Sequence, residues 1–202
     1  MRHRKTSSRW MKGATLLAAV LTAACGSATA RAQDHAAHAQ PSAHEADVRF
    51  VTGMIAHHAQ ALEMTALVPA RASSEGVKMM AERIDVSQRD EIRLMEQWLR
   101  GRGIAVPAAN SAHAHHGGAH ARMPGMLAPE EMHRLAAASG AEFDRLFLEL
   151  MIRHHEGALQ MVAELFNTPG GGQATDVFAL ASEVDADQRM EIDRMRAMLG
   201  SR

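Results

Sequence analysis

Two segments of the chain carry the same arrangement of paired histidines and flanking methionines. In each, one methionine precedes the His-His pair by a single helical turn and another follows it. The side chains are Met54, His57, His58 and Met64 in the first segment, and Met151, His154, His155 and Met161 in the second. Each residue of the second set lies 97 positions after its counterpart, which indicates an internal duplication.

Helical spacing would bring these side chains onto one face. Each residue of an α-helix advances by about 100°, so positions three, four and seven apart lie close together. The segment therefore offers imidazole nitrogen and thioether sulfur in one place, without thiolate. Such soft ligands select Cu(I) and the chemically similar Ag(I), whereas Mg²⁺, Ca²⁺ and Mn²⁺ prefer oxygen. The pattern predicts one Cu(I) site, or two, between the duplicated halves, and Ag(I) is a second ion that would fit.

The same pattern also has a purely structural interpretation. A methionine stripe at helical spacing is usually hydrophobic core, and a buried histidine is more often hydrogen-bonded than ligated. Burying four imidazoles is nevertheless costly unless each finds a partner or a metal ion. On this alternative the protein is a helical interaction module whose histidines stabilise the core or sense pH.

A second group of histidines lies in the connection between the halves. Residues 101–128 contain few large apolar side chains and are rich in Ala, Gly and His, which is typical of a low-complexity linker. Its histidines are His113, His115, His116 and His120. Two hypotheses stand side by side for them, a weak metal-capture site and a solvated linker without a role in binding.

An enzymatic alternative is a di-metal carboxylate oxidase. Such bundles use inward glutamates and Glu-x-x-His motifs on paired long helices. Only Glu130 and His133 have this spacing, on a predicted short helix and without a duplicate. Asp47 and Asp144 are duplicated, but we expect them to cap helix starts or to hydrogen-bond ligands. Because no Ser-His-Asp or Cys-His arrangement supports catalysis either, the chain is predicted not to be an enzyme, and an oxidase is the third hypothesis.

A further duplicated block completes the fold prediction. Seven residues recur at an offset of 100, namely Asp85, Gln88, Arg89, Glu91, Ile92, Met95 and Leu99, which match Asp185, Gln188, Arg189, Glu191, Ile192, Met195 and Leu199. Apolar periodicity predicts long helices over 47–68, 74–100, 142–166 and 175–199, and a short helix from Pro129 to Gly140. We predict an all-α protein, an antiparallel four-helix bundle of two duplicated hairpins plus one short helix, over residues 46–200.

The N-terminus has the composition of an export signal. Basic residues precede an apolar run from Gly13 to Ala24 that is too short for a permanent transmembrane helix. Cys25 would be lipidated if this is a lipoprotein signal, and otherwise cleavage is expected by residue 32. We predict a signal peptide over 1–24 and a disordered tether over 25–45.

Composition excludes several classes of partner and site. Cys25 is the only cysteine, so the folded part has neither disulfides nor thiolate metal sites. The formal net charge is −1 and no basic face is evident, which argues against nucleic acid as a partner. The expected partners are a metal ion and other copper-handling proteins of the cell envelope. Membrane contact is expected only through a lipid anchor, and the protein is expected to be a monomer or a small homo-oligomer.

These motifs resemble the bacterial domain-of-unknown-function 305 family, which includes an exported copper-binding protein. The resemblance is carried by Phe50–His58, Met123–Met126 and Phe147–His155, and it extends over about residues 47–199. It implies a ferritin-like four-helix bundle without di-iron carboxylates, and copper or silver binding in the cell envelope for sequestration, resistance or handover. By position it supports the eight Met and His side chains of the duplicated segments and adds Met123 and Met126 as candidate ligands.

Overall fold

The helices of the computed structural model lie close to the predicted ones. The structure describes residues 43–107 and 123–200. Its elements are α1 (Ala43–Ala66), α2 (Val68–Arg71), α3 (Glu75–Gly101), α4 (Pro129–Ala137), α5 (Gly140–Asn167) and α6 (Thr175–Gly200). All regular secondary structure within these two ranges is helical, which confirms the predicted fold class.

Two helical hairpins build the bundle. Helix α1 packs along α3, and α5 packs along α6, so each hairpin contains one copy of the duplicated sequence. The hairpins meet mainly through α1 and α5, whereas α3 and α6 contact each other more sparsely. The paired histidines lie on α1 and α5, so they face the main contact between the halves.

A layer of buried polar side chains divides the core into two apolar clusters. Met54 and Met161 lie in one cluster, and Met64 and Met151 lie in the other, which shows that α1 and α5 run antiparallel. The buried polar residues between the clusters are His57, His58, Gln88, Glu91, His154, His155, Gln188 and Glu191. Every member of this layer has its duplicate within the layer.

The ends of α1 differ slightly from the prediction. The helix begins at Ala43, inside the segment predicted to be a tether, and it ends at Ala66 instead of Val68. Val68 instead begins the short helix α2, which has Pro69 in its first turn. Proline is tolerated there because the first amide groups of a helix have no intrahelical acceptor.

The duplicated aspartates tie each hairpin to the turn of the other. The Asp144 carboxylate accepts hydrogen bonds from Ser73 N (3.1 Å), Ser73 Oγ (2.6 Å) and Ser74 N (2.9 Å). Asp47 accepts one from Gly172 N at 2.7 Å. Neither aspartate caps its own helix, since α1 and α5 each begin four residues earlier, and these hydrogen bonds instead hold the interhelical turn of the other hairpin.

Several predicted features lie outside the described residues. They are the signal peptide, Cys25, nearly all of the tether, and His113, His115, His116 and His120. Within the described ranges, no helix combines the length and the apolar character needed to cross a membrane.

Candidate metal centre

The inner histidine of each pair meets its duplicate at the centre of the bundle. The ring centroids of His57 and His154 are 3.9 Å apart, with the ring planes inclined at 39°. Both side chains are fully buried. The antiparallel packing of α1 against α5 produces this contact, so the sequence correctly predicted that the two duplicated segments face each other.

The outer histidine of each pair turns toward the second helix of its own hairpin. His58 Nε2 lies 2.6 Å from Glu91 Oε2, and His155 Nε2 lies 2.8 Å from Glu191 Oε2. All four groups are buried. A carboxylate bonded to one ring nitrogen orients the imidazole and leaves the other nitrogen available, which is the usual support for a metal-binding histidine.

Most of the buried ring nitrogens have no hydrogen-bond partner among the described residues. Nδ1 of His57, His58 and His155, and both nitrogens of His154, are unpartnered. Leaving a buried polar group without a partner typically costs about 1–3 kcal/mol. Five such nitrogens lie in one layer, and imidazole nitrogen is a ligand that suits a soft metal ion.

Burial keeps the inner imidazoles neutral. Burial, together with the neighbouring His58 ring, lowers the pKa of His57 to about 3, although the hydrogen bond to the Pro124 carbonyl opposes this shift. The pKa of His154 is also held well below its usual range, first by burial and then by the His57 ring, and a contact with the His57 backbone that does not meet hydrogen-bond geometry opposes this shift. Histidine binds metal only when neutral, so at physiological pH no proton must leave these rings first.

A short segment before α4 covers the histidine pair. We call this segment, Met123–Leu127, the strap. His57 Nε2 donates a hydrogen bond to Pro124 O at 3.1 Å. The Gln60 amide binds the strap twice, donating to Leu127 O at 3.0 Å and accepting from Leu127 N at 2.7 Å. The strap was predicted to be part of a linker, but it is a packed element that shields the centre from solvent.

The strap also requires a glycine on α5. A Cβ atom added to Gly157 would lie 2.0 Å from Pro124 O and 2.7 Å from Gly125 Cα. Gly125 itself has φ of 76°, a conformation that favours glycine. Gly157 occupies the position equivalent to Gln60, so the duplication diverges where the strap crosses between the halves.

Substituting Gly157→Ala should therefore displace the strap while leaving α5 helical. Alanine favours the helix by about 1 kcal/mol relative to glycine, but overpacking typically costs about 1–3 kcal/mol. We expect faster hydrogen exchange at the Leu127 amide and a net loss of unfolding free energy. Gly101→Ala is the matched control, since an added Cβ there meets nothing within 4 Å. Unchanged exchange at Leu127 in the Gly157 variant would contradict this account of the strap.

Two thioethers line a cavity beside the strap. The position of a Cβ on Gly53 would be 3.3 Å from Met161 Cε and 3.7 Å from Met123 Sδ. Both methionines, with Phe50 and Pro124, border a cavity of about 590 Å³. The remaining candidates are more dispersed, with Met54, Met64 and Met151 buried in the apolar clusters and Met126 half-buried in the strap.

The centre is not a preformed cage of histidines and carboxylates. Within the described ranges, no three His, Cys, Asp or Glu side chains are grouped so that they could hold a metal ion. Inward glutamates do exist on the long helices, contrary to the expectation from sequence, but Glu91 and Glu191 each pair with one histidine. Glu130 and His133 are exposed on α4. The arrangement disfavours a di-metal carboxylate site and favours an ion that accepts few ligands, including sulfur.

Sequence reasoning missed several residues of the centre. Gln60, Pro124 and Gly157 belong to irregular contacts that helical periodicity does not reveal. Glu91 and Glu191, in contrast, could have been identified from the sequence, because both belong to the block repeated at an offset of 100. Each also follows a buried glutamine by three residues.

Comparisons with known proteins agree with this architecture. The profile of a family described as Domain of unknown function (DUF305) matches residues 47–199. A DUF305 fragment from Deinococcus radiodurans is 34% identical, covers 80% of this chain and 100% of its own, and has a TM-score of 0.67. A DUF305 protein from Streptomyces coelicolor is 27% identical over 77% of this chain and 93% of its own, with a TM-score of 0.65.

A third solved structure is CopM in the Cu(I)-bound form. It is 26% identical, covers 77% of this chain and 96% of its own, and has a TM-score of 0.60. CopM is similar to this chain in its Ag-bound and Cu(II)-bound forms as well. No curated protein is detectably similar to this chain.

Proposed function

This chain belongs to the DUF305 family. We propose that it binds copper or silver in the bacterial cell envelope. The bound metal would be sequestered, for resistance, or handed over to another protein. The observation that carries the proposal is the layer of five buried imidazole nitrogens without hydrogen-bond partners. The likeness to CopM, which has been solved with Cu(I), Cu(II) and Ag, supports the same conclusion.

The proposed ligands divide into four groups. His57 and His154 are the central donors, because their rings lie closest together and three of their ring nitrogens have no hydrogen-bond partner. His58 and His155 are secondary candidates through Nδ1, because Glu91 and Glu191 hold their other nitrogens and no three imidazoles among the described residues are grouped around one ion. The proposed thioether donors are Met123 and Met161 beside Gly53, and then Met54, Met64, Met126 and Met151. The linker histidines remain predicted weaker ligands.

The chemistry of this set favours a monovalent soft ion. When bound, Cu(I) or Ag(I) would supply the missing partner of the buried nitrogens and accept sulfur as well as nitrogen. The centre offers no group of three carboxylate or imidazole side chains within the described residues, which disfavours Mg²⁺ and Ca²⁺. We propose no catalytic role, because holding and shielding an ion accounts for the strap and the neutral histidines.

The proposed location follows from the N-terminal sequence. The basic segment and apolar run of residues 1–24 have the composition of a signal peptide, and Cys25 would carry a lipid if that signal is of the lipoprotein type. In the envelope the protein would exchange metal with other copper-handling proteins. A thioether and imidazole site suits that compartment, because thiols there are exposed to oxidation.

Competition with a chromophoric Cu(I) chelator tests the proposal. We expect the protein at micromolar concentration to withdraw Cu(I) from the chelator. A large excess of Mg²⁺ or Ca²⁺ should not displace the Cu(I) that the protein has bound. If the protein withdraws no Cu(I), metal binding is refuted, and the function returns to the alternative of a bundle with structural or pH-sensing histidines.

A further inference from the structure

The two central histidines have no open route to solvent. The side chains of His57 and His154 are both 0% exposed. Along the bundle axis their layer lies between two apolar clusters, and on the outer side it meets α3 and α6 through Glu91 and Glu191. The remaining cover is the strap. An ion can therefore reach the two rings only through a local opening, and the cover that opens most easily determines its route.

The strap is the least firmly held part of this cover. Its first four residues, Met123–Met126, are half-buried, and Leu127 is its one fully buried member. Among the described residues, its single backbone–backbone hydrogen bond runs from Met126 N to Met123 O at 3.3 Å. Opening a helix would instead break a ladder of such bonds and separate an apolar cluster. Segments with few buried apolar contacts and few backbone hydrogen bonds are the first to open.

One glutamine fastens the strap to α1. The Gln60 amide is 8% exposed and pairs with Leu127 as a second backbone would, through the donating and accepting bonds described above. We call these two hydrogen bonds the latch. The one other side-chain hydrogen bond to the strap among the described residues comes from His57 to Pro124 O. Because Leu127 N and O are buried, leaving them without partners is costly, so the latch holds the strap closed.

The strap also borders the cavity that contains two thioethers. Pro124 lines this cavity together with Met123 and Met161, and its carbonyl accepts the hydrogen bond from His57. The exposed Glu164 is another lining residue, so the cavity reaches the protein surface. An ion held by the thioethers is therefore separated from the central histidines by the strap.

The chain beyond the strap is fixed in place. Ala128 N donates to Glu131 Oε2 at 2.9 Å, and both terminal nitrogens of Arg153 donate to the Glu131 carboxylate at 2.7 Å. Such a bidentate pair is among the stronger charged contacts. Arg153 directly precedes His154 on α5, so the pair holds the start of α4 close to the centre. The strap can therefore move about Ala128 while α4 stays in place.

We propose that the strap is a gate between the cavity and the central histidines, and that the latch of Gln60 and Leu127 controls how fast the ion passes. This inference rests on the proposed function, since it concerns the same metal centre. Release of the latch lets Pro124 move away from His57, and the ion then passes between the thioethers and the imidazoles. Gln60 is thus a positioning residue that controls the rate of exchange and does not touch the ion.

Transfer of Cu(I) from the loaded protein to an excess of a chromophoric chelator measures the gate. Gln60→Leu removes the latch, and we expect the release rate to rise about tenfold, the effect of one to two hydrogen bonds on an equilibrium. Since opening speeds entry and release alike, the dissociation constant should stay within about threefold of the wild-type value. Gln160→Leu is the matched control, because it makes the same change at an exposed position of α5.

Chemical modification of the metal-free protein tests the gate without the ion. Diethyl pyrocarbonate reacts with neutral imidazole, and tandem mass spectrometry distinguishes the histidines. Gln60→Leu should speed the modification of His57 and His154 about tenfold. Gly157→Ala displaces the strap from the α5 side, so it should act in the same direction. The exposed His133 should react at the wild-type rate in every variant.

The outcomes distinguish the gate from the proposed function. Central histidines that Gln60→Leu makes no more reactive would overturn the gate even if Cu(I) binds. An equal increase at His58 and His155 would overturn it too, because global unfolding exposes all four rings. So would a release rate and a dissociation constant that rise together, since Gln60 would then support binding and not access. A wild type that takes up no Cu(I) overturns the proposed function and this proposal with it.

Discussion

Replacing His57 and His154 together with glutamine should remove most of the stabilisation that Ag(I) gives the protein. An ion bound only by the folded state raises the free energy of unfolding by about 2.7 kcal/mol at one hundred times its dissociation constant. The paired rings at 3.9 Å carry three of the five unpartnered nitrogens, so their loss should cut this rise to a small remainder. Denaturant unfolding with and without Ag(I) measures the effect directly.

The metal-free stability of this double variant separates ligation from packing. Glutamine has similar bulk, its amide can still donate to Pro124 O in place of His57 Nε2, and it removes three ring nitrogens that have no partner. We therefore expect the metal-free variant to unfold at nearly the wild-type free energy. His133→Gln on the exposed surface of α4 is the matched control and should keep the full Ag(I) effect. Equal Ag(I) effects in the wild type and the double variant would move the site to the methionines or to the segment from His113 to Met126.

The arrangement of the helices could be predicted from the internal duplication and from the apolar periodicity of the sequence. Each half repeats a long helix with inward residues at three- and four-residue spacing, and such a helix must bury its apolar stripe against another. The facing of His57 and His154 follows from the same repeat. The bounds of α1 were less predictable, because apolar periodicity marks the buried stripe of a helix and not the residue at which the helix begins.

The different contacts of the two histidines in each pair could not be predicted. Adjacent helical residues differ in direction by about 100°, so His57 points to the other hairpin and His58 to its own. Which direction belongs to which residue depends on how the hairpins rotate against each other, and spacing alone does not fix that rotation. The packed position of the strap could not be predicted either. It depends on the hydrogen bonds of the Pro124 carbonyl and the Gln60 amide, and on the absence of a Cβ atom at Gly157.

The outer pair of His58 and Glu91 is buried in the core. Substituting His58→Leu alone should lower the free energy of unfolding by about 3 kcal/mol, because breaking a buried pair leaves its partner uncompensated. The Glu91 side chain is only 9% exposed and no other ion pair holds it among the described contacts. Adding Glu91→Leu should recover most of the loss, since replacing a whole buried pair with apolar groups is often nearly neutral.

The duplicated pair supplies an internal control for this cycle. His155→Leu should cost less than His58→Leu, because Arg83 Nε lies 3.7 Å from Glu191 Oε1 and still faces that carboxylate when the imidazole is gone. If both single variants cost the same, Arg83 contributes nothing to the buried layer. If His58→Leu costs less than about 1 kcal/mol, the pair does not stabilise the fold. Glu91 would then serve to orient the His58 ring so that its Nδ1 faces a metal ion, as Glu191 would for His155.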